Sequence, residues 1–447
     1  MMRKIFLVFA ALCFSGTIGR AQTTASQPIV VVLSLDGFPS RALKDPRLPM
    51  PTLRKLIADG VAADAMTPVN PTVTWPNHTS LVTGVDAAHH QVLFNGLLTF
   101  PSSGAEPLVK PWINKDELVH AKTLYELASD HGLTTAQVDW VAIYGARGLN
   151  WSFPERPDPD GPIERDLVDE KFVTREELEN FGEDSSPAWH DQVWTDAAVD
   201  IVKRHTPNLL LFHLLATDSL QHRYGALTPA AYEAYAYADT RIAALLQAFR
   251  DAKALDRTTF FIVSDHGFAS FSHTVSPNVV LMQDHLMHVE NGQYAGDVWA
   301  KAEGGTAMIY IRKPEQRAEL IPKLTSEFAA LEGVEHVYEG KELEALGLPT
   351  SDQTDQAPQL VLSAKSGYSF LAQTQGNVIQ NGAIRGTHGY VNTNPDMQAL
   401  FVASGAAIRQ GVPLGTISNL QVAPTIAMIL GLKLDAAQGE PLKSILK

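Results

Sequence analysis

Asp218 and His222 stand four residues apart, the spacing that brings two side chains to one face of a helix, where a carboxylate and an imidazole can aim at one point. Ser264-Asp265-His266-Gly267 sets the same two side-chain types next to each other, with a glycine that lets backbone come close to a bound ion. Asp36-Gly37 repeats the arrangement near the start of the chain, and Gly386-Thr387-His388-Gly389 adds another imidazole between glycines. Taken singly, each is also an ordinary feature: an exposed ion pair, a turn aspartate, a loop histidine. Taken together, three aspartates and three histidines suffice for two divalent cations, because zinc-like ions accept His nitrogen and carboxylate oxygen and a catalytic site keeps a position open. A nucleophile is available in Pro71-Thr72-Val73-Thr74-Trp75-Pro76-Asn77-His78, where Thr74 lies between prolines ahead of a helical run at 79–83. A hydroxyl at a helix start meets backbone N–H groups and the positive end of the dipole, which favour an oxyanion. Threonine is a poor nucleophile until its proton is removed, and metal coordination is one way to remove it. The same segment also reads as a plain loop-to-helix junction.

Groups so far apart in sequence meet only if the fold gathers them, and the apolar pattern indicates how. Residues 29–36, 208–218 and 258–265 are strand-like apolar runs, and each ends in an aspartate. Near-continuous apolar strands suit a parallel sheet covered by helices on both faces. Helical patterns lie between them: 51–59 stops at Gly60, and Thr228-Pro229 opens an Ala-rich stretch to about residue 254, with Thr as cap and Pro in the first turn. Residues 398–403 read as another buried strand and 423–432 as a closing helix. This alternation predicts a doubly wound, mostly parallel α/β sheet, whose ligands gather outside the carboxyl ends of the strands, where the aspartates sit. Between residues 299 and 369 the pattern changes to strands at 306–312, 334–338 and 359–364 with an amphipathic helix at 314–331, which predicts a small α+β insertion. The expected division is a leader at 1–21, a catalytic domain built from 22–298 and 370–447, and an inserted subdomain at 299–369.

Met1-Met2-Arg3-Lys4, an apolar run at 5–14 and a small-residue exit through Gly19-Arg20-Ala21 form the pattern of a secretory signal peptide. That run is shorter than the roughly 20 apolar residues of a membrane span. No later stretch is long enough either, so an exported protein without a membrane anchor is expected, in a bacterial periplasm or the medium. Cleavage near Ala21 removes Cys13, the only cysteine, so no disulfide is expected and the chain must rely on a large core. It also removes Arg3, Lys4 and Arg20, leaving 32 basic against 49 acidic side chains. So acidic a surface repels polyanions and weighs against nucleic-acid polymers as partners, whereas a small phosphate ester can be held locally by bound cations.

Asp36-Gly37, Thr74-Trp75-Pro76-Asn77-His78, Asp218 to His222, Ser264-Asp265-His266-Gly267 and Gly386-Thr387-His388-Gly389-Tyr390, in that order, resemble the motifs of the nucleotide pyrophosphatase/phosphodiesterase family of the alkaline phosphatase superfamily. They span residues 36 to 390, nearly the whole chain after the leader. The resemblance implies an alkaline phosphatase-like fold and a site for two divalent metal ions, usually zinc. Asp218, His222 and His388 would hold one ion; Asp36, Asp265 and His266 would hold the other, which also binds the Thr74 oxygen. The resemblance further implies that Asn95, in Leu93-Phe94-Asn95-Gly96, donates a hydrogen bond to a phosphoryl oxygen, although Asn-Gly is equally a turn signal. The expected reaction is hydrolysis of a phosphodiester, such as a nucleotide pyrophosphate, through a covalent phosphothreonine at Thr74.

Trp75, beside the nucleophile, could stack on a nucleobase or another flat group, with Tyr144, Trp151 or Phe153 as an opposing wall; core or loop packing is the other role open to all four. No Lys-x-Arg pair lies in residues 138–154, where the related threonine phosphomonoesterases carry one, and Arg147 stands alone there, which favours a diester. Sulfatases use Cys or Ser followed by Pro two residues later and Arg four later. Here Thr74 and His78 hold the first and last of those positions, which argues against that activity. The competing readings are a phosphomonoesterase or phosphonate hydrolase of the same superfamily and, in a different class, an inactive member that binds metal or phosphate.

Overall fold

The structure, a computed structural model, describes residues 27–102, 104–182 and 186–447; the expected leader at 1–21, with Cys13, lies outside the described residues. Its central sheet has eight strands: β1 (Ile29–Leu35), β2 (Val61–Thr67), β3 (Thr135–Val138), β4 (Trp151–Phe153), β5 (Leu209–Leu214), β6 (Thr258–Val263), β7 (Phe401–Gly405) and β8 (Leu414–Ser418). They lie in the order β8-β2-β7-β6-β1-β5-β3-β4. Every pairing is parallel except those of β7, which runs against both its neighbours. The expected doubly wound, mostly parallel sheet is therefore present.

All seven residues of β1 are buried. The period of two sorts them: Ile29, Val31, Leu33 and Leu35 enter a core with helices Pro187–His205 and Pro229–Asp251, while Val30 and Val32 enter a second core with Leu124–Asp130 and Val422–Ile429 on the other face. Each such side chain stabilises the fold by about 1.5–3 kcal/mol when fully withdrawn from water. The register levels the strand ends, since Leu35 lies beside Leu214 and Ser34 beside Val263. As a result Asp36, the chain after β5 and Ser264-Asp265-His266 all leave the sheet at one edge.

Several expectations shift in detail. The apolar run at 208–218 is two elements: β5 ends at Leu214, and helix Ala216–Tyr224 already contains Asp218 and His222 one turn apart. The helix expected at 51–59 is Pro51–Asp59, and the long Ala-rich helix is Pro229–Asp251, with Thr228 Oγ1 accepting the Ala231 N–H. The strand expected at 398–403 is β7, displaced toward the C-terminus. Strand β2, Val-Ala-Ala-Asp-Ala-Met-Thr, carries too little β-branched or aromatic character to read as a strand from sequence, and β3, Thr-Ala-Gln-Val, is too short to show a period.

Beyond β6 a four-stranded antiparallel sheet forms in the order Val298–Glu303, Thr306–Ile311, Leu360–Ala364, Val334–Glu339, with helix Arg317–Ala329 burying Leu320, Leu324 and Phe328 against it. The same core takes in Val275, Leu281 and Tyr390. A three-stranded sheet of Gly367–Phe370, Ala269–Val275 and Ile379–Thr387 returns the chain to His388. At Gly389 the backbone has φ +80, and a Cβ would stand 1.6 Å from the Glu303 carbonyl, so only glycine lets the His388 loop lie against this hairpin. Among the described residues no helix is long and apolar enough to cross a membrane.

Helix Ala216–Tyr224 starts at Leu215, whose side chain cannot cap. Asp191, fully buried on helix Pro187–His205, stands in: its Oδ1 accepts the Leu215 N–H at 2.9 Å and the Ala216 N–H at 3.3 Å. Asp191→Ala leaves both donors unpaired, and urea unfolding should show a loss of about 1–3 kcal/mol; an unchanged midpoint would contradict this role.

Candidate metal centre and nucleophile

Thr74 is the first residue of helix Thr74–Thr83, all ten side chains of which are buried. Asn77 builds the loop before it: its Oδ1 accepts the Val69 N–H at 2.8 Å, and its Nδ2 lies 3.0 Å from both the Pro71 and Val73 carbonyls. The Thr72 carbonyl reaches across to accept from Gly389 N at 3.1 Å and His388 Nδ1 at 3.0 Å, tying the nucleophile loop to the last histidine loop. Thr74 Oγ1 then lies 3.5 Å from His266 Nε2.

The three expected histidines share one arrangement. Nδ1 of His222 donates to the Gly386 carbonyl at 3.1 Å, Nδ1 of His266 to the Gly267 carbonyl at 3.0 Å, and Nδ1 of His388 to Thr72. A backbone acceptor on Nδ1 fixes the proton there and turns the Nε2 lone pair inward, which is how a metal-binding imidazole is held. Those lone pairs meet carboxylate oxygens: His222 Nε2 is 3.4 Å and His388 Nε2 3.8 Å from Asp218 Oδ1, while His266 Nε2 is 3.2 Å from Asp265 Oδ2 and 3.4 Å from Asp36 Oδ1. All three of these oxygens are buried without a hydrogen-bond partner. The other oxygens of Asp36 and Asp265 are engaged, by His213 Nε2 at 3.0 Å and by the Gly37 N–H at 3.1 Å. A shell of acceptors with no donor is costly unless a cation sits among them, so the donor set fits divalent metal.

The six expected ligands therefore converge. Asp218, His222 and His388 form one group; Asp36, Asp218 and His266 form another, so Asp218 lies within reach of both, and Asp265 borders the second through His266. Gly37 permits this closeness: with φ +65, a Cβ there would strike Phe268 at 2.8 Å and crowd Asp218 Oδ1 at 3.3 Å. Burial and the Asp265 and Asp218 carboxylates push Asp36 well above the ordinary range. Burial acts on Asp218 as well, but the His222, His388 and His266 rings outweigh it and hold that carboxyl low. Burial pushes His266 down to about 4 and His388 to about 3. These two neutral rings stack with centroids 3.8 Å apart.

Asn95 Oδ1 accepts the Trp75 N–H at 3.0 Å, which orients its exposed amide beside the helix start with Nδ2 as the outward donor. Trp75 takes both roles left open for it. It packs with Val92, Leu118, Val141 and Ala142, and it lines a cavity of about 180 Å³. Tyr144, 57% exposed, lines the same cavity, whereas Trp151 and Phe153 take the packing role: Trp151 stacks on His205 at 4.3 Å and Phe153 is fully buried in the core. Trp112 and Trp140 supply the remaining aromatic surface, and nothing in their spacing singled them out. A larger cavity of about 510 Å³, lined by Lys55, Asp59 and Arg250 among apolar side chains, contains no histidine and none of the site residues.

Sequence reasoning assigned no role to His78 and overlooked His213 and Asp139. His78 Nδ1 donates to the Thr74 carbonyl at 2.9 Å and lies 3.6 Å from Asp265 Oδ2, bracing the nucleophile turn from below. His213 breaks an otherwise apolar strand, and Asp139 follows β3 as the other aspartates follow theirs. Both signals were present in the sequence.

The profile of the type I phosphodiesterase / nucleotide pyrophosphatase family matches residues 30–391. The bis(5'-adenosyl)-triphosphatase of Xenopus laevis is 23% identical over 438 residues, covering 97% of this chain and 84% of that protein. Ectonucleotide pyrophosphatase/phosphodiesterase family member 3 of Bos taurus is 21% identical over 410 residues, covering 88% of this chain but only 41% of its own length. Among solved structures, murine ectonucleotide pyrophosphatase/phosphodiesterase 5 superposes with a TM-score of 0.70 at 18% identity, over 94% of this chain and 100% of that one.

Zinc supplied at about 1,000 times its dissociation constant should stabilise the protein by about 4 kcal/mol, read as a rise in Tm; no rise would count against a metal centre. His78, His266 and His388 stay neutral when folded, down to about 3, 4 and 3, whereas an unfolded chain protonates them near 6.5. Their contribution is whole above that value and is lost as the pH falls toward 4. Urea midpoints of the metal-free protein should decline steeply between about pH 6.5 and about pH 4, and a flat profile would contradict the assignment.

Proposed function

Because the chain belongs to the type I phosphodiesterase / nucleotide pyrophosphatase family, we propose that it hydrolyses small nucleotide diesters or pyrophosphates with Thr74 as nucleophile. That it is a hydrolase of the phosphodiesterase and nucleotide pyrophosphatase kind follows from the family; the proposal concerns how it acts and on what. The observation that carries it is the acceptor-only shell with Thr74 Oγ1 at its rim, 3.5 Å from His266 Nε2. Two divalent ions, Zn²⁺ suiting this nitrogen and oxygen set, would when bound to Asp218, His222 and His388 and to Asp36, Asp265 and His266 lower the pKa of a hydroxyl and neutralise the entering and leaving oxygens.

Thr74 Oγ1 attacks phosphorus in line, and its new bond forms as the bond to the leaving oxygen breaks. The Thr74 N–H at the start of helix Thr74–Thr83 faces the phosphoryl oxygens, since the Trp75 N–H is held by Asn95 Oδ1 and Pro76 has none, and Asn95 Nδ2 donates to one of them. Water then attacks the phosphothreonine from the vacated side and frees Thr74. Two inversions leave the configuration at phosphorus retained.

The aromatic cavity beside Thr74, walled by Trp75, Trp112 and Tyr144, suits a flat base. Arg147 pairs with Glu126 at 3.4 Å with its side chain 67% exposed, so it offers no dedicated charge for a monoester dianion. The Xenopus relative is named for a dinucleoside triphosphate, and the murine structure is an inactive threonine-to-alanine variant in complex with AMP. The net charge of −14 weighs against polymeric nucleic acid. Export remains the reading of residues 1–21, to a periplasm or the medium.

Thr74→Ala should lower turnover by at least about 10³-fold while leaving metal content and the CD spectrum unchanged; wild-type-like activity would remove Thr74 from the scheme. Against one enzyme sample, bis-p-nitrophenyl phosphate and the nitrophenyl ester of thymidine monophosphate should exceed p-nitrophenyl phosphate and phosphonoacetate in kcat/KM by at least about tenfold. The opposite order would make the protein a monoesterase or phosphonate hydrolase.

A further inference from the structure

Behind the metal centre the candidate ligand Asp36 continues into two buried ionisable side chains, His213 and Asp139, that the proposed chemistry does not use. His213, on β5 in register with Ser34 of β1, points Nε2 at Asp36 Oδ2, 3.0 Å away. Its Nδ1 faces the Asp139 carbonyl at 3.1 Å and Asp139 Oδ2 at 3.0 Å. Exposures of 2%, 1% and 1% for His213, Asp36 and Asp139 exclude bulk water from these contacts. Both ring nitrogens face oxygen atoms, and the imidazole is clamped from two sides. Asp139 adopts φ +54, a left-handed backbone uncommon for a residue with a Cβ, while its N–H is held by the Phe153 carbonyl at 2.9 Å. The backbone is thus bent to bring the Asp139 carbonyl and carboxylate to one imidazole nitrogen.

We infer that His213 is a positioning residue for the second ion: clamped by Asp139, it holds Oδ2 of Asp36 and so fixes Oδ1 toward His266 and Thr74. Asp36 hangs from the end of β1 on a carboxyl free to rotate about its terminal bond; occupying one oxygen removes that freedom and leaves the other as ligand. The first group of ligands, Asp218, His222 and His388, makes no contact with His213, so the effect is confined to one of the two ions. This inference rests on the proposed two-ion site.

The test is a zinc competition titration with a chelating dye on the full chain, comparing wild type with His213→Phe, which fills the space without a donor, His213→Gln, which keeps an N–H near the Nε2 position, and Asp139→Asn. Wild type should bind two ions. His213→Phe should weaken one of them by about 10- to 100-fold and leave the other unchanged, with Asp139→Asn weakening the same one less. His213→Gln should recover most of the affinity. Cobalt substitution should show the altered visible spectrum in the weakened site alone. If His213→Phe does not fold, Asp139→Asn and His213→Gln decide. Two ions bound with wild-type affinity in His213→Phe, or in Asp139→Asn where His213→Phe does not fold, or equal loss of both ions without recovery in His213→Gln, would overturn the inference. Failure of wild type itself to bind two ions would instead overturn the functional reading beneath it.

Discussion

Lone pairs that face one another without a proton between them dominate this molecule. Three imidazole Nε2 atoms, each with its proton committed to a backbone carbonyl on the opposite side, look onto three buried carboxylate oxygens that nothing else satisfies. Left bare, such a cluster opposes folding, because desolvated anions and acceptors repel. A pair of divalent cations bound among them would convert the same repulsion into attraction. The Thr74 hydroxyl stands at the rim of this cluster, 3.5 Å from His266 Nε2.

The fold sustains that cost through its parallel sheet. β1, β5 and β6 are buried on both faces and end level with one another, so the residues that leave them have no choice but to meet. Helix Ala216–Tyr224, capped from outside by Asp191, supplies a carboxylate and an imidazole one turn apart. The lobe beyond β6 returns the chain at Gly389, where close contact with Glu303 and the Thr72 carbonyl locks the last histidine. Rigid elements thus supply nearly every candidate ligand, and the loop before Thr74 is tied through the Thr72 carbonyl to His388 and Gly389.

Much of this was legible in the chain because the chemistry sits where strands end. Apolar runs finishing in Asp36 and Asp265 announced both the sheet and its functional edge, and the four-residue step from Asp218 to His222 announced a helix. What was missed failed for physical reasons. β2 has three alanines and an aspartate among its seven residues and β3 is only four residues long, so their strands depend on the neighbours that pair with them, a tertiary effect that local propensity does not carry. For the same reason Asp139 escaped notice, although it follows its strand just as the recognised aspartates do. The choice between wall and packing stayed open for Tyr144, Trp151 and Phe153 because sequence distance from Thr74 says nothing of which way a ring turns; packing holds for Trp151 and Phe153. Trp112 and Trp140 arrive from segments without periodic pattern.

The central claim is that the converging side chains hold two cations beside Thr74, and crystals of the protein measured on either side of the zinc absorption edge test it most directly. The anomalous difference map should contain two peaks about 4 Å apart, one bounded by Asp218, His222 and His388 and the other by Asp36, Asp265 and His266, with the Thr74 hydroxyl against the second. A map from zinc-equilibrated crystals without peaks there, with the carboxylates turned instead toward protein or solvent donors, would contradict the account.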